Sequence, residues 1–146
     1  MLLFSNNINL FPLPIVIVGT KYDELKDMES EKRKLLCKTL RFVAQSNGAS
    51  LIFTSQKYEG IVTRFRQLFA NFAFRSSSVK VTVTEHTKPL VIMAGQDTFS
   101  QLGLPPSEMA GNSALGRQTY VGYEKWKADF EKYFPTEPSN DWIAFS

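Results

Sequence analysis

The sequence predicts an α/β fold built around a parallel strand–helix–strand unit. Three observations carry that reading. They are a β-branched run closed by glycine, Pro14-Ile-Val-Ile-Val-Gly19, a helical period over residues 24–46, and a return to strand pattern from Ala49 to Thr54. The first run is short and apolar throughout, as suits a strand covered on both faces of a parallel sheet. In the helical stretch Leu25, Met28, Leu36, Leu40 and Val43 mark one stripe. Acidic Glu24, Asp27, Glu29 and Glu31 come early and basic Lys38 and Arg41 late, in the sense the helix dipole favours. Asn47 and Gly48 supply the stop. Two strands joined this way run parallel with a right-handed crossover, because right-twisted strands linked by a helix pack back only in that sense.

A second amphipathic helix is expected around Ile61, Phe65, Leu68 and Phe72, which recur at three- and four-residue steps. Its phenylalanines, with Phe69 and Phe74, are assigned to the core. A turn at Ser76-Ser77-Ser78 follows. Val79, Val81 and Val83 then alternate with Lys80 and Thr82 as in a half-exposed strand, and Leu90 to Ala94 forms another short apolar run. Gly103 to Gly122 holds four Gly and two Pro with no clear period, and reads as a loop. Tyr123, Trp126, Phe130 and Tyr133 mark a last amphipathic helix that stops at Pro135.

Composition narrows the chemistry. The 146 residues are 43% hydrophobic, enough for one domain with a real core. Twelve Phe, five Tyr and two Trp supply anchors for that core or for a protein surface. A single Cys excludes a disulfide framework and a cysteine-based zinc site within the chain, and a single His excludes any site needing two imidazoles. A net charge of +3 makes no case for a nucleic-acid partner. No run approaches the roughly 20 apolar residues of a membrane span, and the N-terminus lacks a basic signal-peptide region, so a soluble intracellular protein without membrane insertion is expected.

The motif that carries most information is Gly19-Thr20-Lys21-Tyr22-Asp23 at the carboxyl end of the first strand. Ligands of open α/β sheets bind at such ends. An Asp there can accept two hydrogen bonds from a guanine base while a Lys stem covers the ring, the logic of the Asn-Lys-x-Asp motif, with Thr20 in the Asn position. Thr54-Ser55-Gln56-Lys57 ends the next strand and is similar to the Thr-Ser-Ala-Lys loop that presents a backbone N–H to the same base. Thr20, Lys21, Asp23, Thr54 and Ser55 are therefore the candidate site, a vestigial guanine site. The same residues also admit a structural reading, with Asp23 as helix N-cap and Ser55 opening a turn. Phosphates need a Gly-x-x-x-x-Gly-Lys-Ser/Thr cradle, and these residues contain none. No phosphoryl chemistry, catalytic residue, metal or bound cofactor is expected. His86 and the Lys32-Arg33-Lys34 run read as solvated surface, and Cys37 as a packed, inert thiol.

Several segments together resemble the cytoplasmic dynein 2 light intermediate chain family. They are Pro14 to Asp23, Lys26 to Ala44, Gly48 to Ser55, the Ala-Gly-x-Asp-x-Phe segment within Lys88 to Gly103, and the Trp-Lys…Phe-Pro helix end at Trp126 to Pro135. The resemblance implies a partial Ras-like P-loop NTPase fold lacking the phosphate-loop half. On that basis residues 12–102 correspond to the C-terminal half of a GTPase-like domain. Residues 1–11 form a divergent N-terminus, 103–122 a flexible loop, 123–135 a C-terminal helix and 136–146 a tail. It further implies a non-enzymatic subunit bound to the dynein 2 heavy chain and other dynein 2 subunits. Such a subunit works in retrograde intraflagellar transport and cilium assembly, in the cytoplasm, on the microtubule cytoskeleton and in the cilium (axoneme and basal body).

Two other functions are weighed beside that one. One is a guanine-nucleotide-binding protein. The other is a free-standing adaptor presenting Trp126 and Phe130 on an exposed helix. A strand at Ile15–Val18 without a neighbour on its outer side also predicts a marginal or aggregation-prone chain unless a partner covers it.

Overall fold

The structure is a computed structural model that describes residues 12–75, 81–111 and 121–136. Its elements run β1 (Val16–Gly19), α1 (Tyr22–Leu25), α2 (Ser30–Ser46), β2 (Ser50–Phe53), α3 (Glu59–Phe74), β3 (Val91–Ile92), α4 (Phe99–Leu102), α5 (Pro106–Gly111) and α6 (Tyr123–Tyr133). The predicted α/β class is what these elements form. β1 and β2 pair in parallel, with Val16 opposite Ser50 and Gly19 opposite Phe53. β3 adds antiparallel to the far side of β2, giving the order β1-β2-β3.

β2 is the centre of the molecule, and its four residues are all buried. One face of the sheet, with Leu51 and Phe53, packs on Cys37, Ala44 and Leu40 of α2 and on Tyr22. The other face, with Ile52 and Val91, packs on Leu68 and Phe65 of α3. A third cluster lies outside α2, where Phe42 meets Leu102 and Trp126. The Phe42 and Trp126 rings are 5.3 Å apart and nearly parallel. α2 is thus sandwiched between the sheet and the α4–α6 layer.

That sandwich corrects the helical stripe read from sequence. Leu36, Leu40 and Val43 are only partly buried, whereas Leu35, Cys37, Arg41, Phe42 and Ala44 are buried. A helix covered on two sides has no single apolar stripe to find. The expected single helix over residues 24–46 is also two, α1 and α2, with a turn between them. Arg33 holds that turn by donating to the carbonyls of Lys26 and Met28, so it is not a freely solvated side chain. Within the stretch expected to be loop, Pro106–Gly111 forms α5. Asp129 of α6 stabilises its start by accepting a hydrogen bond from the Ser107 N–H at 2.9 Å. Of the expected Val79–Val83 strand, Val83 makes a single bridge to Val91. The Ser76–Ser78 turn, Val79, the N-terminus 1–11 and residues 137–146 lie outside the described residues.

Two expectations about aromatics are overturned. Phe69, Phe72 and Phe74 are exposed, because the three strands among the described residues make a sheet too narrow to cover more of α3 than the Phe65–Leu68 side. Trp126 is 1% exposed, so α6 does not present it to a partner, and the exposed-helix adaptor reading fails.

Candidate functional site

Gly19 ends β1 directly against the Phe53 ring; a Cβ built there would lie 2.4 Å from Phe53 Cδ1. Only glycine fits that close approach. Beyond it the two strand ends stay joined. The Thr54 N–H donates to the Gly19 carbonyl at 2.8 Å, and the Tyr22 N–H donates back to the Thr54 carbonyl at 3.1 Å. Lys21 takes a left-handed conformation, φ 55° and ψ 43°, which turns the chain from the strand into α1. Tyr22 then points inward onto Phe53, its hydroxyl donating to the Thr87 carbonyl at 3.3 Å.

Asp23 follows on the opposite side and faces the Thr54–Lys57 loop. The two sequence motifs, some thirty residues apart, do meet. Ser55 Oγ donates to Asp23 Oδ1 at 2.5 Å, and Lys57 Nζ lies 2.6 Å from Asp23 Oδ2. The hydrogen bonds from Lys57 and then Ser55 hold the Asp23 carboxyl down at about 2, so it is ionised across the physiological range. The same contact raises the Lys57 ammonium. Asp23 is therefore not an N-cap; Lys21 occupies that position of α1, without a side-chain cap. Ser55 does open a turn, its hydroxyl accepting from the Lys57 N–H at 3.3 Å and its carbonyl from the Tyr58 N–H at 3.2 Å.

A groove of about 680 Å³ lies at these strand ends, between Val18, Thr20, Lys21 and Asp23 on one side and Thr54 and Phe65 on the other. All five candidate residues converge on it or beside it. Their groups are not all available, however. Thr20 sits exposed on the rim. The Lys21 ammonium is 3.4 Å from Glu24, and both Asp23 oxygens already have partners. Chemically the groove can take a planar polar ring against Val18 and Phe65, but the Asp23 carboxylate is satisfied from within. Among the described residues no group of His, Cys, Asp and Glu has the arrangement of a metal site.

The residue that sequence reasoning left out of the site is Lys57, although it stands in the quoted Thr54-Ser55-Gln56-Lys57 loop. A second interaction is not legible in the sequence. Arg41 is buried in α2 and makes a two-pronged pair with Asp97, Nε to Oδ2 at 2.7 Å and Nη2 to Oδ1 at 2.8 Å. Asp97 also accepts from the Thr98 N–H at 2.9 Å, fixing the turn into α4. The Ala-Gly-x-Asp-x-Phe segment thus uses its Asp to bolt the β3–α4 turn to α2. Cys37 is buried, and burial pushes its thiol up to about 11, which leaves it unreactive.

No family model matches the chain. It is 44% identical over 133 residues to the human cytoplasmic dynein 2 light intermediate chain 1, and 42% identical over 134 residues to the Danio rerio protein of that name. By sequence this chain is a relative of the dynein 2 light intermediate chains. The human match covers 91% of this chain and 37% of the relative, so the chain spans little more than a third of the length of the relatives it matches. Among solved structures, the conserved domain of a dynein light intermediate chain is similar with a TM-score of 0.48 and 19% identity, over 86% of this chain and 42% of that one. Among the described residues no helix is long and apolar enough to cross a membrane.

Proposed function

We propose that this chain is a non-catalytic subunit of a cytoplasmic dynein 2 motor complex. In this reading it binds the heavy chain and other dynein 2 subunits and supports retrograde intraflagellar transport and cilium assembly, in the cytoplasm and the cilium. The observation that carries the reading is the 42–44% identity to light intermediate chains across about nine-tenths of the chain. The site geometry is in keeping with it. A carboxylate engaged by Lys57 and Ser55 makes a rigid strand-end turn suited to a scaffold. The test is co-purification with the dynein 2 heavy-chain tail, with a full-length relative as positive control. Retention is expected; loss of this chain under conditions that retain the control would sink the reading.

A second reading, a guanine-nucleotide-binding protein, is favoured by one observation: both motifs line a single groove at the strand ends. Titration with fluorescent GDP separates the two. Saturable micromolar binding abolished by Asp23→Ala would establish nucleotide binding. No binding is expected, because base contacts without a phosphate cradle are weak and Asp23 is already engaged.

A further inference from the structure

We propose that the cleft between α2, α5 and α6 is a docking site for a partner peptide that carries an aliphatic anchor beside a carboxylate. The cleft measures about 400 Å³, within the range of sites that enclose small ligands or anchoring side chains. Its walls are apolar: Leu35 from α2, Leu104 and Pro106 before and at the start of α5, and Met109. Met109 is 62% exposed and Tyr133, at the end of α6, is 38% exposed. Large apolar surface is therefore left open at the mouth. The α5 wall is held in place by the Asp129–Ser107 hydrogen bond and by a 2.9 Å ion pair between Lys125 and Glu108.

Two cations stand over this apolar floor. Lys34 and Lys38 lie one helical turn apart on α2, and neither forms an ion pair among the described residues. Lys38 is half-buried, its ammonium lodged beside Gly103. Burial, then the neighbouring charges of Lys34 and Arg41, lower its pKa. A partly desolvated ammonium without a counter-ion is costly, and an incoming carboxylate relieves that cost.

Charge balance selects the occupant. Glu31 stands at the same mouth, so the cleft is positive by a single charge, which fits one carboxylate better than a polyanion. The open side argues for a peptide. A peptide brings its own surface to cover Met109 and Tyr133, whereas a free fatty acid in so open a cleft would leave much of its chain in water. Met109 also suits an apolar anchor, because an unbranched thioether adapts to different side chains. This assignment does not depend on the dynein reading.

The test uses the full chain and a short fluorescein-labelled helical peptide with two leucines on one face beside a single glutamate. Saturable anisotropy is expected, with binding at least about tenfold weaker for the glutamine twin. The double variant Lys34→Glu, Lys38→Glu should lose the glutamate peptide and gain a lysine twin, while Lys88→Glu, Lys127→Glu should change neither. Met109→Glu, at an exposed position, should weaken binding without lowering the melting temperature. Equal binding of the glutamate and glutamine peptides, or no saturable binding, overturns the proposal. An equal loss in the Lys88, Lys127 variant overturns it too. A gain of about tenfold in Asp141→Asn, Trp142→Ala would instead give the cleft to the chain's own acidic, aromatic C-terminal residues, and the partner assignment would fall.

Discussion

Asp23, held between Ser55 and Lys57, is far from the environment of a solvent-facing carboxylate. Its folded pKa of about 2 lies below the ordinary 3.8. Its stabilising contribution is therefore complete above that ordinary value and is lost as pH falls through about 2. An NMR titration of the Asp23 carboxyl should show a midpoint near 2, moving back toward 3.8 in Lys57→Met, which removes the Lys57 hydrogen bond to the carboxylate. Arg41 gives a second prediction. Truncation to Ala strands the buried Asp97 carboxylate and should cost about 3–5 kcal/mol in urea unfolding, more than the loss of an exposed pair. Both residues show how far single positions could be read. Asp23 and Ser55 are legible because each follows a strand end in a recognisable motif. Lys57 stands two residues past Ser55 and was not assigned to Asp23. The Arg41–Asp97 pair joins positions 56 apart in sequence, and nothing in the spacing announces it.

α6 is the element whose role differs most from its sequence pattern. Its Tyr123-Trp126-Phe130-Tyr133 stripe is amphipathic, but one residue of it carries the docking onto α2. Trp126→Ala should cost about 3–5 kcal/mol, since it empties the cluster with Phe42 and Leu102. The measurement is the urea midpoint, with the variant's near-ultraviolet dichroism reporting the lost ring packing. α3 behaves in the opposite way. Phe69 and Phe74 are 51% and 82% exposed, so Phe69→Ser, Phe74→Ser should shift stability by no more than about 0.5 kcal/mol per site while reducing self-association in light scattering. Existence and type were readable for β1, β2, α3 and α6, whose patterns are strong. The α1–α2 break was not, because it depends on Arg33 reaching back to carbonyls across the turn.

At the scale of the whole molecule, three layers share one thin sheet. Among the described residues β1 pairs only with β2, and its four residues are all partly exposed. An open β-branched edge beside an aromatic helix face favours strand-to-strand association. The isolated chain should therefore show concentration-dependent assembly in sedimentation, and a monodisperse monomer melting cooperatively well above about 50 °C would contradict this. The sequence by itself determined the α/β class, the parallel β1–α–β2 order and the convergence of two loops at the strand ends. Those are consequences of local period and of the single handedness open to a strand–helix–strand crossover. Only the tertiary structure decided that α2 is covered on both sides, that Trp126 is core while Phe69 and Phe74 are surface, and that Lys57 occupies Asp23. Each depends on which neighbour reaches a side chain first, and that is settled by packing between elements distant in sequence, where periodicity carries no information.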